Sequence, residues 1–165
     1  SIPSLIMLRL PSLSTEAYTG AVAQYLECLP GTSLLVHDRP DIALEYPVAG
    51  VHLSWRQAAT LTGRPVPEDQ WFGVSCHDTA ELAHAAAIGA DYATLGPVLP
   101  TPSHPEAKGL GWQRFAELAG DAVLPVYALG GTGPESLGRA IEAGGQGIAG
   151  ISWWWPVRNN DSEAQ

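Results

Sequence analysis

The sequence predicts an α/β fold of the (β/α)8 barrel type, and three observations support it. Short apolar runs that end in Gly, Ser, Thr or His recur along the chain, as in GVSCH and VYALGG. Helical stretches that close on a glycine lie between these runs. Because the connections are short, strand and helix alternate strictly, which is the pattern of a parallel sheet with right-handed crossovers.

Each predicted element rests on its apolar pattern and on the residues at its ends. Ser14 is a candidate N-cap, Asp78 or Thr79 caps a later helix that Gly89 ends, and Pro134 starts the last helix. The predicted strands are residues 5–10, 33–37, 50–53, 71–75, 92–95, 123–129 and 147–151. The predicted helices are residues 15–29, 40–45, 55–61, 79–88, 112–118 and 134–143.

This order of elements fits either an open doubly wound sheet or a barrel. The short strands, and the polar residues at many strand ends, favour the barrel, whose site collects residues from all its β-to-α loops. A barrel usually needs about 200 residues or more. The 165 residues of this chain therefore leave it short by one β-α unit. We expect a single domain over residues 1–158 and a disordered tail over residues 159–165.

Composition excludes several classes of partner. The net charge of −9 argues against nucleic acid and against an anionic membrane surface. No apolar run approaches the roughly 20 residues that a membrane span needs, and the N-terminus lacks the layout of a signal peptide. Cys28 and Cys76 are far apart and match no metal spacing, so we expect two free thiols in a reducing, cytoplasmic compartment.

Four segments carry a resemblance to a known family: GVSCH, GADYATLGPVLPTPSH, LGGTGPES and AGGQGIAGIS. Together with MLRLP, HDRPDIAL and AGVHLS upstream, they resemble the thiamine phosphate synthase family, which includes the TenI-type thiazole tautomerases. The chain resembles in particular the synthase-like domain fused to Nudix hydrolases in some bacteria. The resemblance covers residues 5–152 and implies a (β/α)8 barrel that here lacks the first β-α unit and a full last helix.

The resemblance also implies a phosphate site. The family joins a pyrimidine methyl pyrophosphate to a thiazole phosphate, and glycine-rich turns after its last two strands hold the thiazole phosphate. Glycine lets the backbone approach an anion closely, and N–H groups at a helix N-terminus favour negative charge. The alternative is a tight turn and a helix cap. The matching positions are Gly130, Gly131, Gly150 and Ser152, with Thr101 and Ser103 in the loop that follows the fifth strand.

The metal half of the implied site is incomplete. The family holds its pyrophosphate with Mg²⁺ and basic residues, and of these Arg9 and the metal-ligand position Asp38 remain. The second metal carboxylate falls at Gln57, and His37 precedes Asp38 where the family has asparagine. Because Mg²⁺ prefers carboxylate oxygens, one carboxylate beside a neutral histidine makes a poor site. The alternative for Arg9, Asp38 and Arg39 is a salt-bridged cluster at the barrel mouth.

Acid–base chemistry is the alternative that needs no metal. In thiazole tautomerases a histidine follows the sixth-strand glycine, and here that position is Pro97. Histidine titrates near neutral pH, so a histidine elsewhere at the mouth can replace it. We expect His84 to be solvated and His52 to be packed or hydrogen-bonded. The candidate catalytic residues are Arg9, His37, Ser75, His77 and His104.

Tryptophans provide candidate ligand-stacking surfaces. Three of them follow the last predicted strand, beginning at Trp153, and Trp55 follows the third. Trp153 and Trp55 are therefore candidates to stack on a heteroaromatic ring. The alternative is that the tryptophans at residues 153–155 cover a barrel end or form a subunit contact, where tryptophan is enriched.

The resulting prediction is a thiamine-pathway barrel, nearest to a synthase-type transferase, that binds a small phosphorylated molecule such as thiazole phosphate. One alternative is a non-catalytic or regulatory ligand-binding domain, for example of a Nudix fusion. Another is a metal-free, thiazole tautomerase-like enzyme. Since an unclosed barrel exposes strand edges, we expect a homodimer or a partner domain to cover them.

Overall fold

The computed structural model describes residues 5–101 and 108–150, in which seven parallel strands form one sheet in chain order. The strands are β1 Leu5–Leu8, β2 Ser33–His37, β3 Gly50–Leu53, β4 Trp71–Cys76, β5 Tyr92–Leu95, β6 Val126–Leu129 and β7 Gly147–Ala149. The helices are α1 Thr15–Cys28, α2 Pro40–Glu45, α3 Trp55–Ala58, α4 Thr79–Ala87, α5 Gly111–Asp121 and α6 Leu137–Glu142. The predicted α/β fold is confirmed.

Within the described residues the sheet is curled but not closed. Each inner strand pairs with the strands before and after it in the chain, and β1 and β7 pair with one neighbour each. The expectation that a second subunit or domain covers these edges stays a prediction. So does the single-domain boundary, because the proposed tail over residues 159–165 lies outside the described residues.

Several predicted ends match the structure because specific residues define them. The side chain of Ser14 accepts a hydrogen bond from the Ala17 N–H at 3.2 Å, and Asp78 accepts one from the Glu81 N–H at 2.9 Å. Both are N-caps that satisfy amides left free in a first helical turn. Strands β2, β3 and β5 have the predicted bounds.

The connection before β6 differs from the prediction. The strand begins at Val126 rather than at residue 123, because α5 continues to Asp121 and Val123 is 87% exposed. Pro125 cannot donate to the ladder, although its carbonyl accepts from the Ala93 N–H. Residues 123–125 therefore serve as the connection.

Two helices are shorter than predicted by more than one residue. The last helix begins as a 3-10 turn over Pro134–Ser136 before α6, where the Gly133 N–H donates to Ser136 Oγ at 3.3 Å. Helix α3 ends at Ala58, and the residues after it continue in tighter bonds, such as Leu61 N–H to the Ala58 carbonyl. Proline at the first position and the 3-10 tightening of a helix end explain both differences.

The hydrophobic core lies between the sheet and the helices. Strand residues such as Val36, Phe72 and Val74 pack there with helix residues such as Val22 and Phe115, all fully buried. Cys76 is also buried in this layer and burial raises its thiol pKa to about 12, so it remains a protonated thiol. The other thiol, Cys28, is free and exposed, which agrees with the prediction of two free cysteines.

Among the described residues, no helix has the length and apolar character required to cross a bilayer.

An arginine clamp fastens the end of the sheet where the strands begin. Arg64 forms a paired hydrogen bond with the Asp91 carboxylate at 3.1 and 2.8 Å and also donates to the carbonyls of Gly89 and Gln70. Asp91 in turn accepts from the Phe72 N–H at 2.7 Å. The clamp therefore joins the loop before β4 to the turn before β5.

We expect Arg64→Met to lower the free energy of unfolding by about 2–4 kcal/mol, because it leaves a partly buried carboxylate and several carbonyls without their donor. Arg114→Met is the matched control, since Arg114 pairs with Glu117 on the exposed surface at a similar distance of 2.8 Å. Its expected effect is below about 1 kcal/mol. Urea unfolding of both variants measures the difference, and equal losses would contradict the clamp.

Candidate functional site

The face of the sheet turned away from the helices carries polar side chains. Because side chains alternate along a strand, these residues stand opposite the apolar core face. In a barrel-type fold this face forms the interior, and the ends of the strands form the mouth. Strand register aligns His37, His52, Gly73 and Tyr92 in one row, and Ser75, Thr94, Tyr127 and Gly147 in the next.

His52 joins the two rows through hydrogen bonds. Its Nδ1 lies 2.9 Å from Tyr92 Oη and its Nε2 lies 2.8 Å from Ser75 Oγ. Thr94 Oγ1 donates to Ser75 Oγ at 3.4 Å. The imidazole is 1% exposed, as predicted for a packed, hydrogen-bonded histidine. Tyr92, His52, Ser75 and Thr94 therefore form one connected polar chain.

Gly73 makes room for this chain. A Cβ at Gly73 would lie 2.1 Å from Cζ of Tyr92, so any larger residue would collide with the tyrosine ring. The ring of Tyr127 also packs edge-on against Tyr92, with 5.8 Å between the ring centroids. Tyr92 is thus held in place from both neighbouring strands.

Burial keeps the His52 and Tyr92 side chains of this hydrogen-bonded chain uncharged. Desolvation, assisted by nearby His37, lowers the pKa of His52 to about 3. Desolvation likewise raises the pKa of Tyr92 well above its usual range, with smaller contributions from Tyr127 and Asp91. At neutral pH the imidazole is therefore neutral and the phenol protonated.

The predicted catalytic residue His37 lies beside this chain. Its ring stacks on His52 with 5.9 Å between centroids, and its backbone N–H donates to Tyr18 Oη at 3.1 Å. Burial lowers the pKa of His37, Arg9 lowers it further, and Asp38 opposes them. The Arg9 side chain is exposed at the end of β1, so both predicted residues are at the same mouth.

Asp38 forms a structural clamp between two strand ends. Its Oδ1 accepts from the Ser54 N–H at 2.7 Å, and its Oδ2 accepts from the Ser54 hydroxyl at 2.9 Å. Its carbonyl accepts from Gln57 Nε2 at 3.1 Å. The residue has a φ of +56°, a left-handed conformation that aspartate tolerates better than most residues. The carboxylate thereby positions the start of α3.

The two predicted phosphate turns lie next to each other. Thr132 Oγ1 donates to the carbonyl of Ala149 at 3.1 Å, which joins the turn after β6 to the end of β7 beside Gly150. Gly130 and Gly131 have φ values of +95° and +65°. A Cβ at Gly130 would lie 2.6 Å from Pro97, so close packing of the loop after β5 also requires these glycines.

His77 is held by a carboxylate at the mouth. Its Nδ1 lies 2.7 Å from Glu81 Oε2, and the same oxygen accepts from the His77 backbone N–H at 2.8 Å. The His77 side chain is 55% exposed, whereas that of Glu81 is 14% exposed. The carboxylate therefore orients a solvent-accessible imidazole through Nδ1, and within the described residues Nε2 has no hydrogen-bond partner.

The structure places the other predicted residues less informatively. Thr101 is half-buried at the edge of the described region. Trp55 packs edge-on against His84, with 5.4 Å between centroids, so its stacking on a ligand stays a prediction. His84 is not simply solvated, because its Nε2 lies 3.0 Å from the Ala58 carbonyl. The predicted residues Ser103, His104, Ser152 and Trp153 lie outside the described residues.

Comparison with known proteins decides the family. Residues 3–153 match the family described as thiamine monophosphate synthase. This chain belongs to the thiamine monophosphate synthase family. The putative thiamine-phosphate synthase 2 of Aquifex aeolicus is 38% identical over 72% of this chain and 64% of its own length. The putative thiamine-phosphate synthase of Geobacter sulfurreducens is 39% identical over 74% of this chain and 58% of its own length. The chain therefore spans less than two thirds of the length of either relative.

A solved structure supports the barrel-type architecture of this family member. The thiamine phosphate pyrophosphorylase from Pyrococcus furiosus superposes with a TM-score of 0.68 at 23% identity, over 90% of this chain and 72% of that chain. A similarity at this level of identity shows the fold. The predicted TIM-barrel type is therefore confirmed.

The donor set of this synthase-family chain does not fit the Mg²⁺ that the family resemblance implies. The two carboxylate oxygens of Asp38 both accept hydrogen bonds from Ser54, and Gln57 stands where a second carboxylate would be needed. Across residues 5–101 and 108–150, no three His, Cys, Asp or Glu side chains form a group able to hold a metal ion. A hard cation prefers several carboxylate oxygens, and among the described residues this position offers the Asp38 carboxylate alone.

Sequence reasoning did not identify Tyr92 as part of the site of this synthase-family chain, and it considered His52 only as a packed residue. Neither residue is the last of its strand or follows it, and the carboxyl ends of the strands are where the prediction looked for chemistry. The informative signal was the alternation within GVHL, WFGVSC and YATL, which places a polar residue of each strand on the same face. Aligning these strands requires their register, which spacing alone does not supply.

We expect acid to destabilise the fold through His52. Its pKa is about 3 in the folded chain, against about 6.5 when unfolded, so the unfolded chain binds more protons below about pH 6.5. The contribution of His52 to the free energy of unfolding is therefore fully present above that pH. It falls by up to about 1.4 kcal/mol per pH unit as the pH drops towards 3.

Urea unfolding between about pH 6.5 and pH 5 measures this slope, above the range in which most carboxylates titrate. The His37 pKa is lowered as well, so His37 adds a smaller contribution of the same sign. The His52→Gln variant should lose most of the slope, and His84→Gln should keep it. An unchanged slope in His52→Gln would contradict the buried neutral imidazole.

Proposed function

We propose that this chain binds a phosphorylated heteroaromatic compound of thiamine biosynthesis, such as thiazole phosphate, at the mouth of the sheet. The observation that carries the proposal is the Thr132–Ala149 hydrogen bond, which joins the two glycine turns. The relatives named thiamine-phosphate synthases support the class of ligand. The phosphate occupies the turns, and the ring lies towards Ser75 and Tyr127 on the polar face.

Backbone geometry supports the phosphate position. Gly130 and Gly131 adopt positive φ values that only glycine accommodates well. The loop after β5 is fixed to this turn, because the Val98 and Leu99 N–H groups donate to the carbonyls of Leu129 and Gly130 at 2.9 and 3.0 Å. A turn fixed in this way needs little reorganisation when an anion binds, which favours affinity.

The chemistry of the site favours binding without a metal. Joining the pyrimidine methyl group to the thiazole releases the pyrophosphate that this methyl group carried, and the charge of the pyrophosphate must be neutralised as it departs. The Asp38 clamp does not provide a Mg²⁺ site, and the family lysine position of the β1 end is Pro11. We therefore propose that the phosphorylated ring is bound independently of Mg²⁺.

Calorimetric titration tests this proposal. Thiazole phosphate should bind with the same affinity in EDTA and in Mg²⁺, and the unphosphorylated thiazole alcohol should bind at least about tenfold more weakly, a difference of about 1.4 kcal/mol. Thr132→Val should weaken binding, because it removes the bond between the turns. The control Thr60→Val removes a comparable hydroxyl-to-carbonyl bond just after α3, from Thr60 to the Gln57 carbonyl. No binding, or binding only with Mg²⁺, would refute the proposal.

The His77–Glu81 pair favours a second candidate, metal-free acid–base catalysis on the bound ring. With Nδ1–H donated to Glu81, Nε2 is free to remove a proton from one position of the ring and to return it at another. This is tautomerisation, in which one bond to hydrogen breaks and another forms, no bond between two heavy atoms breaks, and no cofactor is consumed. A non-catalytic domain, within a Nudix fusion for example, would instead bind the same ligand without turnover.

Substitution of His77 separates these two possibilities. We expect His77→Gln to reduce the rate of ligand-proton exchange in D₂O, followed by NMR, by at least about a hundredfold while leaving affinity within about threefold. Glu81→Gln should cause a smaller loss, and His84→Gln on the same helix should cause none. Equal exchange rates in the wild-type chain and His77→Gln would assign the site to binding alone.

A further inference from the structure

Tyr18 joins the ends of two strands at the mouth of the sheet. It lies on α1 and is 3% exposed. Its hydroxyl donates to the carbonyl of Leu8, the last residue of β1, at 2.5 Å. The same oxygen accepts from the backbone N–H of His37, the last residue of β2, at 3.1 Å. One phenol oxygen therefore bridges two neighbouring strands just before Arg9 and Asp38.

The phenol oxygen occupies the place of a backbone hydrogen bond. Successive N–H groups along a strand point to opposite neighbours. The Asp38 N–H donates to the His52 carbonyl on β3, so the His37 N–H points to β1. In the register of β1 with β2, the next bond of the parallel ladder would run from the His37 N–H to the Leu8 carbonyl. These are the two groups that Tyr18 joins, so its oxygen is inserted into the ladder.

This insertion separates the two strand ends. A direct N–H···O bond spans about 2.9–3.0 Å between its heavy atoms. Here two consecutive hydrogen bonds and an oxygen atom lie between the same N–H and carbonyl. Both backbone groups still have a partner, so the separation leaves neither strand with a buried unpaired group. The segments that begin at Arg9 and at Asp38 therefore start from strand ends that are spread apart.

The ring of Tyr18 is held as firmly as its hydroxyl. The guanidinium carbon of Arg39 lies 5.5 Å from the ring centroid, in a cation–π arrangement. Arg39 also donates to both carboxylate oxygens of Asp41, in the first turn of α2, at 2.9 and 2.6 Å. Burial raises the pKa of Tyr18, so the phenol keeps the proton that it donates to Leu8. The loop after β2 and both strands therefore fix the position of this side chain.

We propose that Tyr18 is a positioning residue, which holds β1 and β2 apart at the mouth and so sets the distance between Arg9 and His37. Arg9 carries an exposed positive charge on one side of this separation, and the His37 ring stacks on His52 on the other side. Without the phenol oxygen, the His37 N–H would meet the Leu8 carbonyl directly and the two sides would approach each other. The effect on a ligand rests on the proposed function, whereas the separation of the strands does not.

Helix α1 offers a matched control for removal of the hydroxyl. Tyr25 lies about two turns after Tyr18 on the same helix. Its buried hydroxyl has no hydrogen-bond partner among the residues that the structure describes. Tyr18→Phe therefore removes an oxygen that bridges two strands, whereas Tyr25→Phe removes an oxygen that bridges nothing. A difference between these variants reports the hydrogen bonds of the phenol rather than the loss of a tyrosine.

The first experiment detects the backbone hydrogen bond by NMR in the absence of ligand. Scalar coupling across a hydrogen bond connects the amide nitrogen of the donor to the carbonyl carbon of the acceptor. The wild-type chain and Tyr25→Phe should show no coupling between the His37 nitrogen and the Leu8 carbonyl carbon, and Tyr18→Phe should show it. A coupling in the wild type, or its absence in folded Tyr18→Phe, overturns the proposal.

A second signal needs only the wild-type chain and so remains decisive where Tyr18→Phe does not fold. The hydroxyl proton of Tyr18 should exchange slowly with water and give a nuclear Overhauser effect to the His37 amide proton. A hydroxyl proton in fast exchange, or one without this contact, overturns the insertion of the phenol into the ladder.

Calorimetric titration with thiazole phosphate tests whether the separation acts through Arg9. Tyr18→Phe should weaken binding by about three- to tenfold, because the attraction between Arg9 and the phosphate depends on their distance. Tyr25→Phe should leave the affinity within about twofold. In an Arg9→Gln background, Tyr18→Phe should cause no further loss, because the charge that it positions is absent.

No loss of affinity in Tyr18→Phe, or an equal loss in both backgrounds, overturns the positioning of Arg9. If thiazole phosphate does not bind to the wild-type chain, the proposed function fails and the NMR signals alone decide the inference.

Discussion

The register of the parallel strands is the constraint on which the rest of this molecule depends. A shift of one residue would exchange the two faces of a strand. In the observed register Val51 and Leu53 pack against the helices, and His52 between them joins the polar face. The apolar face supplies the packing that stabilises the sheet. The polar face is thereby available for chemistry, but it must satisfy its own hydrogen bonds.

The fold was largely predictable from the sequence, because local signals mark the ends of its elements. Ser14 and Asp78 cap their helices as their side-chain chemistry indicates, and β2, β3 and β5 have the predicted bounds. The errors occurred where a local signal was ambiguous. Val123 has the β-branched character of a strand residue, but Pro125 interrupts the ladder before Val126.

The site was less predictable, because it depends on contacts between distant parts of the chain. Ser75 and His77 could be selected from a strand end, but the partner of Ser75 is 23 positions away and that of His52 is 40 positions away. Asp38 could be matched to a family position from its neighbours in sequence. The hydrogen bonds that Asp38 accepts from Ser54 follow from the pairing of β2 with β3 and are visible only in the structure.

The Asp38 clamp and the polar chain that contains His52 together explain how hydrogen bonds can order the mouth of the sheet. Within the described residues, both oxygens of the Asp38 carboxylate, which could attract a cation, accept hydrogen bonds from the N–H and the hydroxyl of Ser54. His52, on the neighbouring strand β3, is kept neutral by burial. The ring of His37, the residue before Asp38, stacks on it. A ligand entering here meets fixed dipoles rather than concentrated charge. Under the proposed function, such a surface would select a ring by the pattern of its donors and acceptors, and the glycine turns would meet the phosphate.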